Sequence, residues 1–467
     1  MLERRGRRWH IDDVDRYDLT YVPSAQSIFD VGVEATVWRI DDKKMNEHAD
    51  LSAGAKTMSL SRRRLFETTV GLGAAALTMH PRSALAQNAA TSSKPAAASP
   101  PYRASTEDHP VSIINLDLLE QQAQGKLTEF AYAFVSGGAG DEWTLRENRR
   151  AFEDFPIMPR MLSGVDAKSV DLKTRLLDLD LPFPIIVAPM GVHGVVHEQG
   201  EVATAAGAGA AGTLYQCSGA SNRTMEEIAR ATSGPKWFQI YFNRDVGVTR
   251  SLLQRARQAG FTAIVLTVDA TGPGRSERVA RIGGRFPDSL TFGNHDPRFG
   301  GTGNFYNQKK NVTWDDIAFC RDVSGLPVVV KGILRPDDAV QAVKAGAVAI
   351  QVSNHGARQL DGLPASVTAL PAIADALGGQ TPIIFDSGIR RGVEIFRALA
   401  LGATAVAIGR PVLYGLGLGG SAGVKSVIDF LGDELKGAMV FAGAKNIGAI
   451  DRASVALSRS ASASRRG

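Results

Sequence analysis

The chain is 467 residues long and carries a formal net charge of +5, from 53 basic and 48 acidic side chains. The excess is small and scattered, with no basic stripe interleaved with aromatics, which argues against a nucleic-acid partner. Two cysteines, Cys217 and Cys320, are too few for a disulfide framework, and no metal is expected.

Residues 1–57 precede an export-type pattern and are expected to be an over-extended start without structure or function. Within residues 58–86, Ser61-Arg62-Arg63-Arg64-Leu65-Phe66 leads into a small-residue apolar run, Val70 to Met79, and then Ala84-Leu85-Ala86, an A-x-A cleavage site. This is the layout of a twin-arginine signal peptide. The run is too short to span a bilayer, so a periplasmic or cell-envelope location follows. Residues 87–110 open with an Ala-, Ser- and Pro-rich stretch and are expected to be a flexible linker. Residues 451–467 are expected to be a disordered tail. That leaves 111–450 as the folded domain.

From there the chain alternates. Eight short runs rich in Val and Ile begin at Pro184, Gly212, Lys236, Ala263, Pro327, Ala349, Pro382 and Ala405. Continuous rather than alternating hydrophobicity suits parallel strands covered on both faces. Between them lie helical patterns at 224–231, 248–259, 336–345 and 392–401, several closing on glycine. Eight strand–helix alternations predict a (β/α)8 TIM barrel with an N-terminal helical segment. The chain exceeds the ~250 residues typical of such a barrel, and the stretch 270–311 after the fourth strand is long and glycine-rich. A loop of that kind over a barrel mouth serves as a lid or a partner surface, or is disordered.

Chemistry on this fold sits at the C-terminal ends of the strands, where Ser218, Tyr241, Asp269, Lys331, His355 and Asp386 all fall. His355 and Arg358 put a base beside an anion receptor, the minimum for taking a proton from a substrate that bears a carboxylate. Lys331 follows four apolar residues, and an ammonium there is costly unless paired. Gly388-Ile389-Arg390 and Gly409-Arg410 end the last two strands, where backbone N–H groups and guanidinium charge can grip a phosphate.

The run VSNHGARQLDG, with VVVKG before it and DSGIRRG and AIGRP after it, resembles the FMN-dependent α-hydroxy-acid oxidase and dehydrogenase family, over roughly residues 111–450. The resemblance implies FMN as cofactor and oxidation of a 2-hydroxy acid to the 2-oxo acid. It implies His355 as base, Asp269 as the carboxylate that orients it, and Arg358 and Tyr241 as substrate ligands. It also implies Lys331 as the cation that stabilises the reduced flavin. Cofactor contacts would come from Pro189, Met190 and Gly191 along the ring, and from Ser218, Gln239 and Thr267 at its edge. Ser353, Asp386 and Ser387 would serve the ribityl side, and Gly388, Ile389, Arg390, Gly409 and Arg410 the phosphate.

Three pocket positions depart from the family pattern: Phe134 stands for a tyrosine, Ser276 for a second carboxylate-binding arginine, and Ala220 for an aromatic. Each change enlarges or depolarises the pocket, so a substrate bulkier than lactate is expected. The electron acceptor, whether oxygen, a quinone or a cytochrome, stays open at this stage, and so does the choice between hydride and carbanion routes. Two other activities fit the same residues: an FMN barrel with isomerase-like or decayed chemistry, and an amine oxidase. The family resemblance also implies a homotetramer.

Overall fold

The computed structural model describes residues 103–456 apart from 273 and 285. Residues 1–57, the export signal expected over 58–86, the start of the linker and the tail from 457 lie outside the described residues.

Three helices come first: α1 (Leu116–Lys126), α2 (Glu129–Ser136) and α3 (Trp143–Arg150). Asn115 caps α1 by accepting from Leu118 N–H at 2.8 Å, and Thr128 caps α2 through Ala131 N–H at 3.2 Å, each satisfying a donor the helix cannot. An antiparallel hairpin follows, β1 (Thr174–Leu176) and β2 (Leu179–Leu181). All eight apolar runs then form strands: β3 (Ile185–Val187), β4 (Tyr215–Ser218), β5 (Lys236–Ile240), β6 (Ile264–Thr267), β7 (Val328–Ile333), β8 (Ala349–Val352), β9 (Ile383–Asp386) and β10 (Ala405–Ile408). Each pairs in parallel with the next, and β10 closes on β3, giving the (β/α)8 barrel that the alternation predicts.

Helices cover the outside: α4 (Glu201–Ala210), α5 (Met225–Arg230), α6 (Val246–Gln258), α7 (Glu277–Arg281), α8 (Asp315–Ser324), α9 (Pro336–Lys344), α10 (Ser366–Leu377), α11 (Gly392–Ala400) and α12 (Arg410–Ala442). The four helices predicted from sequence lie within a residue or two of α5, α6, α9 and α11. Their boundaries follow local chemistry: Thr224 and Glu227 form a capping box on α5, Asp245 caps α6, and Pro336 opens α9.

Successive strand side chains point to opposite faces, and both faces here are dry. Ile185, Phe238, Ile264, Val328, Ile350 and Phe385 point outward into the core beneath the helices. Ile186, Leu214, Trp237, Val265, Val329 and Ile384 point inward and form a separate cluster, closed at its base by Leu176 and Leu181 of the hairpin. One step further along five of the strands the inward positions turn polar, with Gln216, Gln239, Lys331, Gln351 and Asp386 all buried. That change of character makes the floor of the site.

Two domain boundaries move. Residues 103–110 are not a free linker: Ser105 N–H donates to Val196 O and His109 N–H to Gly419 O, both at 3.2 Å. The second contact is possible because α12 is broken at Gly419 and Gly420, the latter with φ of 57°; a side chain at 419 would lie 2.2 Å from His109 O. At the other end Asp451 caps a 3-10 turn, Arg452–Ser454, and Met158 N–H donates to Ser454 O at 2.9 Å, so 451–456 belongs to the fold rather than to the tail. The short sequence patterns missed both because each is held by distant backbone, not by its own composition.

Candidate active site

A cavity of about 370 Å³ opens at the C-terminal rim of the barrel, within the range of small-molecule sites. Pro189, Met190, Gly191, Tyr241, Lys331, His355, Arg358, Asp386, Ser387, Gly388, Ile389, Arg390, Gly409 and Arg410 all line it. Ser218, Gln239, Thr267, Asp269 and Ser353 do not reach its surface; they form the layer that holds the lining in place.

His355 is fixed from behind. Its Nδ1 lies 2.8 Å from Asp269 Oδ1. An ionised carboxylate only accepts, so Nδ1 carries a proton, and in the neutral ring Nε2 presents its lone pair toward the cavity. Tyr241 Oη is 3.4 Å from that Nε2. Burial raises the Asp269 carboxyl, but the neighbouring His355 and Lys331 outweigh it and leave the group below the ordinary carboxylate range. A carboxylate depressed in this way stabilises the fold above its unfolded pKa of about 3.9 and loses that contribution as pH falls through its lower folded value. The stability gap between wild type and Asp269→Asn is therefore expected to shrink on acidification below about pH 4, read by urea unfolding at a series of pH values. A gap that stays constant with pH would contradict an ionised Asp269.

The loop that carries His355 is strained. His355 and Ala357 adopt φ of 59° and 62°, a left-handed conformation that non-glycine residues avoid. Hydrogen bonds from three directions hold it. Asp386 Oδ1 accepts from Ser353 Oγ and Ser387 Oγ, each at 2.7 Å, and Asp386 Oδ2 from Gln351 Nε2 at 2.7 Å. Ser353 Oγ accepts from His355 N–H and Ser387 Oγ from Gly356 N–H. Asn354 exchanges amide hydrogen bonds with Asn148 of α3, at 2.7 and 2.9 Å. Asp361, farther along the same loop, accepts from the first N–H groups of α3, those of Trp143 and Thr144.

Arg358 is aimed by backbone. Its Nη1 donates to Phe134 O at 2.8 Å and Gly137 O at 3.1 Å, and its guanidinium carbon sits 4.8 Å from the Phe134 ring centroid. Arg410 likewise donates to Val135 O and Gly137 O. Both anchors lie at the end of α2, more than 200 residues away in sequence, and the sequence patterns gave no sign of them.

Four cations, Lys331, Arg358, Arg390 and Arg410, crowd the cavity. Among the described residues, no carboxylate lies within salt-bridge distance of Lys331, Arg358, Arg390 or Arg410, and Arg390 Nε is buried without a partner. Lys331 is 4% exposed. Burial and the neighbouring Arg358 both disfavour the charged form of Arg410. A guanidinium does not give up its proton in a protein, so this crowding calls for an anionic ligand.

Of the three departures from the family pattern, Phe134 and Ala220 line the cavity. Ser276 does not: it caps α7, accepting from Val279 N–H. Nor do its neighbours replace the missing guanidinium, since Arg275 is exposed and Arg278 is bonded to Glu142 at 2.6 Å. The pocket also has aromatic walls that sequence reading missed: Phe286 beside Phe134 on one side, and Phe292, Phe305 and Tyr306 near Tyr241 on the other. The only available signal was a set of five aromatic residues within an otherwise glycine-rich connection.

A family model described as FMN-dependent dehydrogenase matches residues 123–457. The L-lactate oxidase of Nostoc sp. is 45% identical over 356 residues, covering 73% of this chain and 97% of the relative. Glycolate oxidase of Spinacia oleracea is 39% identical, covering 74% and 96%. Among solved structures, a lactate oxidase of Pediococcus acidilactici aligns with a TM-score of 0.74 at 42% identity, covering 77% of this chain and 98% of that one. Mandelate oxidase with (S)-2-phenylpropionate aligns at 0.68 and 36% identity, covering 74% and 99%.

Proposed function

We propose a reaction on one premise: the chain belongs to the FMN-dependent α-hydroxy-acid oxidase family, and its cofactor is FMN. The protein is an oxidoreductase that oxidises a 2-hydroxy acid. The residues fit the cofactor, because the unbalanced cations of the cavity match its negative groups. Arg390 and Arg410, with the Gly388 and Gly409 turns, would hold the phosphate. Lys331 would face the pyrimidine edge, Asp386 with Ser353 and Ser387 the ribityl chain, and Pro189 to Gly191 one side of the ring. Ser218, Gln239 and Thr267 would support the ring from the layer below. Bound FMN supplies a two-electron acceptor at N5.

In this reading Arg358 binds the substrate carboxylate and Tyr241 its hydroxyl region. His355 Nε2 takes the hydroxyl proton while the α-hydrogen leaves with its electron pair, giving the 2-oxo acid. Asp269 holds the imidazole in the accepting tautomer and stabilises it once protonated. Lys331 offsets the negative charge that two-electron reduction adds. The observation that carries the reading is the Asp269–His355 pair aimed into the same cavity as an uncompensated Arg358.

Substrate size is inferred from the walls. Ala220 leaves space on one side, and Ser276 is turned away, so Arg358 holds the carboxylate without a second guanidinium. A charged hydrogen bond is worth about 1.5 to 3 kcal/mol, roughly tenfold or more in affinity. Small acids, with little other surface to bury, lose most from its absence. Apolar walls recover that loss only for a larger side chain. Anaerobic titration of the holoenzyme with glycolate, lactate, 2-hydroxy-octanoate and mandelate is expected to bleach the flavin most effectively with the last two. Highest efficiency with lactate would overturn the size inference, and no bleaching by any hydroxy acid would overturn the reaction. Mixing the reduced enzyme with air or a soluble quinone then identifies the acceptor.

Export through the twin-arginine route completes the reading, since that route carries proteins already folded around their cofactor. A reporter fused behind residues 58–86 is expected to reach the periplasm and to stay inside when Arg62 and Arg63 are both replaced by lysine.

A further inference from the structure

The connection from β6 to α8 has the composition of a mobile lid, yet its second half is bonded to the barrel at two places by buried asparagines. Asn294 is fully buried. Its Oδ1 accepts from Met225 N–H, the first residue of α5, at 2.9 Å, and its Nδ2 donates to Ser221 Oγ at 3.0 Å. The adjoining Gly293 N–H donates to Ser221 O at 3.0 Å. A side chain at 293 would lie 2.6 Å from Asn222 O, so the two backbones are in direct contact.

The second attachment is Asn243, 2% exposed, at the end of β5. Its Nδ2 donates to Asn304 O at 2.9 Å, while Arg244 N–H donates to Asn307 O and Lys309 N–H to Phe242 O, both at 2.8 Å. Each attachment holds one aromatic. Phe292 sits beside Asn294 and Phe305 beside Asn304, and their rings stack at 4.1 Å with 23° between planes. Phe305 then meets the Tyr241 ring edge-on at 5.9 Å. Both phenylalanines line the cavity that holds His355.

We propose that Asn243 and Asn294 are positioning residues for substrate selection: they hold Phe305 and Phe292 as a fixed aromatic wall, so this half of the connection discriminates by shape instead of closing as a lid. The proposal rests on the hydroxy-acid reading for its consequence, but its physical basis is independent of it. A bolted pair keeps its rings stacked and pays no ordering cost when an apolar side chain packs against them. An unbolted pair would pay that cost at each binding event, and larger side chains, which contact more of the wall, would lose most.

The test uses FMN-loaded Asn294→Ala and Asn243→Ala. Amide hydrogen exchange over 291–307 is expected to accelerate at least tenfold in each variant, with exchange in the barrel strands unchanged. The KM for mandelate is expected to rise at least tenfold, with the KM for lactate and the saturating rate of flavin reduction each changing less than threefold. Equal KM increases for both acids, or unchanged exchange over 291–307, would overturn the proposal. If an alanine variant fails to fold, Asn294→Asp keeps the acceptor for Met225 N–H and loses only the donor to Ser221, and the same criteria apply. Failure of every hydroxy acid to reduce the flavin would sink the proposed reaction, while the exchange measurement would still decide whether the wall is fixed.

Discussion

Replacing His355 with glutamine is expected to slow flavin reduction by roughly a hundredfold to ten-thousandfold, the scale of a lost general base. Glutamine keeps a polar group of similar reach but cannot take a proton. The variant separates chemistry from scaffolding because the loop does not depend on the imidazole for its shape. Ser353, Asn354 and Gly356 are tied to Asp386, Asn148 and Ser387, and Ala357 N–H to Asn354 Oδ1, through bonds that do not involve the ring. FMN content and dissociation constants for unreactive carboxylates are therefore expected to change little. Stopped-flow reduction under anaerobic conditions is the measurement, and a loss below about tenfold would remove His355 from the role of base. Asp269→Asn is expected to fall between this variant and wild type, because the base remains but loses the charge that stabilises it when protonated.

Lys331→Met is expected to lower the reduction rate by about a hundredfold to a thousandfold, the scale of one preorganised electrostatic partner. It should also make the bound flavin harder to reduce. The ammonium is buried in the polar layer at the barrel rim, between Thr267 and Gln351 of the flanking strands, and among the described residues no carboxylate lies within salt-bridge distance of it. Such a charge is costly to maintain without a ligand. Methionine has nearly the same length, so removing the charge should stabilise the cofactor-free protein while impairing the loaded enzyme. Redox titration and thermal melting of both forms test the two halves. A lysine that served only packing would leave the flavin potential where it was.

The barrel was legible because its signal is local. Eight Val- and Ile-rich runs, each ending in a polar residue or glycine, report strand, burial on both faces and rim together, and Thr224, Pro336 and Asp245 mark helix starts within a few residues. The lining residues were legible for the same reason: strand ends and the turns after them are contiguous in sequence. What stayed hidden depends on contacts between distant segments. The carbonyls of Phe134 and Gly137 that aim Arg358 lie 224 and 221 residues before it. Asn148 and Asn354 are 206 residues apart. Ser276 could be aligned to a family arginine from sequence, but only the fold reveals that it caps a short helix outside the cavity. The aromatic wall was missed because glycine content dominates the reading of that connection, and nothing local says that Asn294 and Asn243 are buried.

The hairpin beneath the barrel has a consequence for traffic. Leu176 and Leu181 seal the base against Ile186, Leu214 and Trp237, so the barrel is a cup and not a tube. On the proposed reaction, acid and 2-oxo product would enter and leave by the same brim, and an acceptor too large to share it would have to wait for the product to depart.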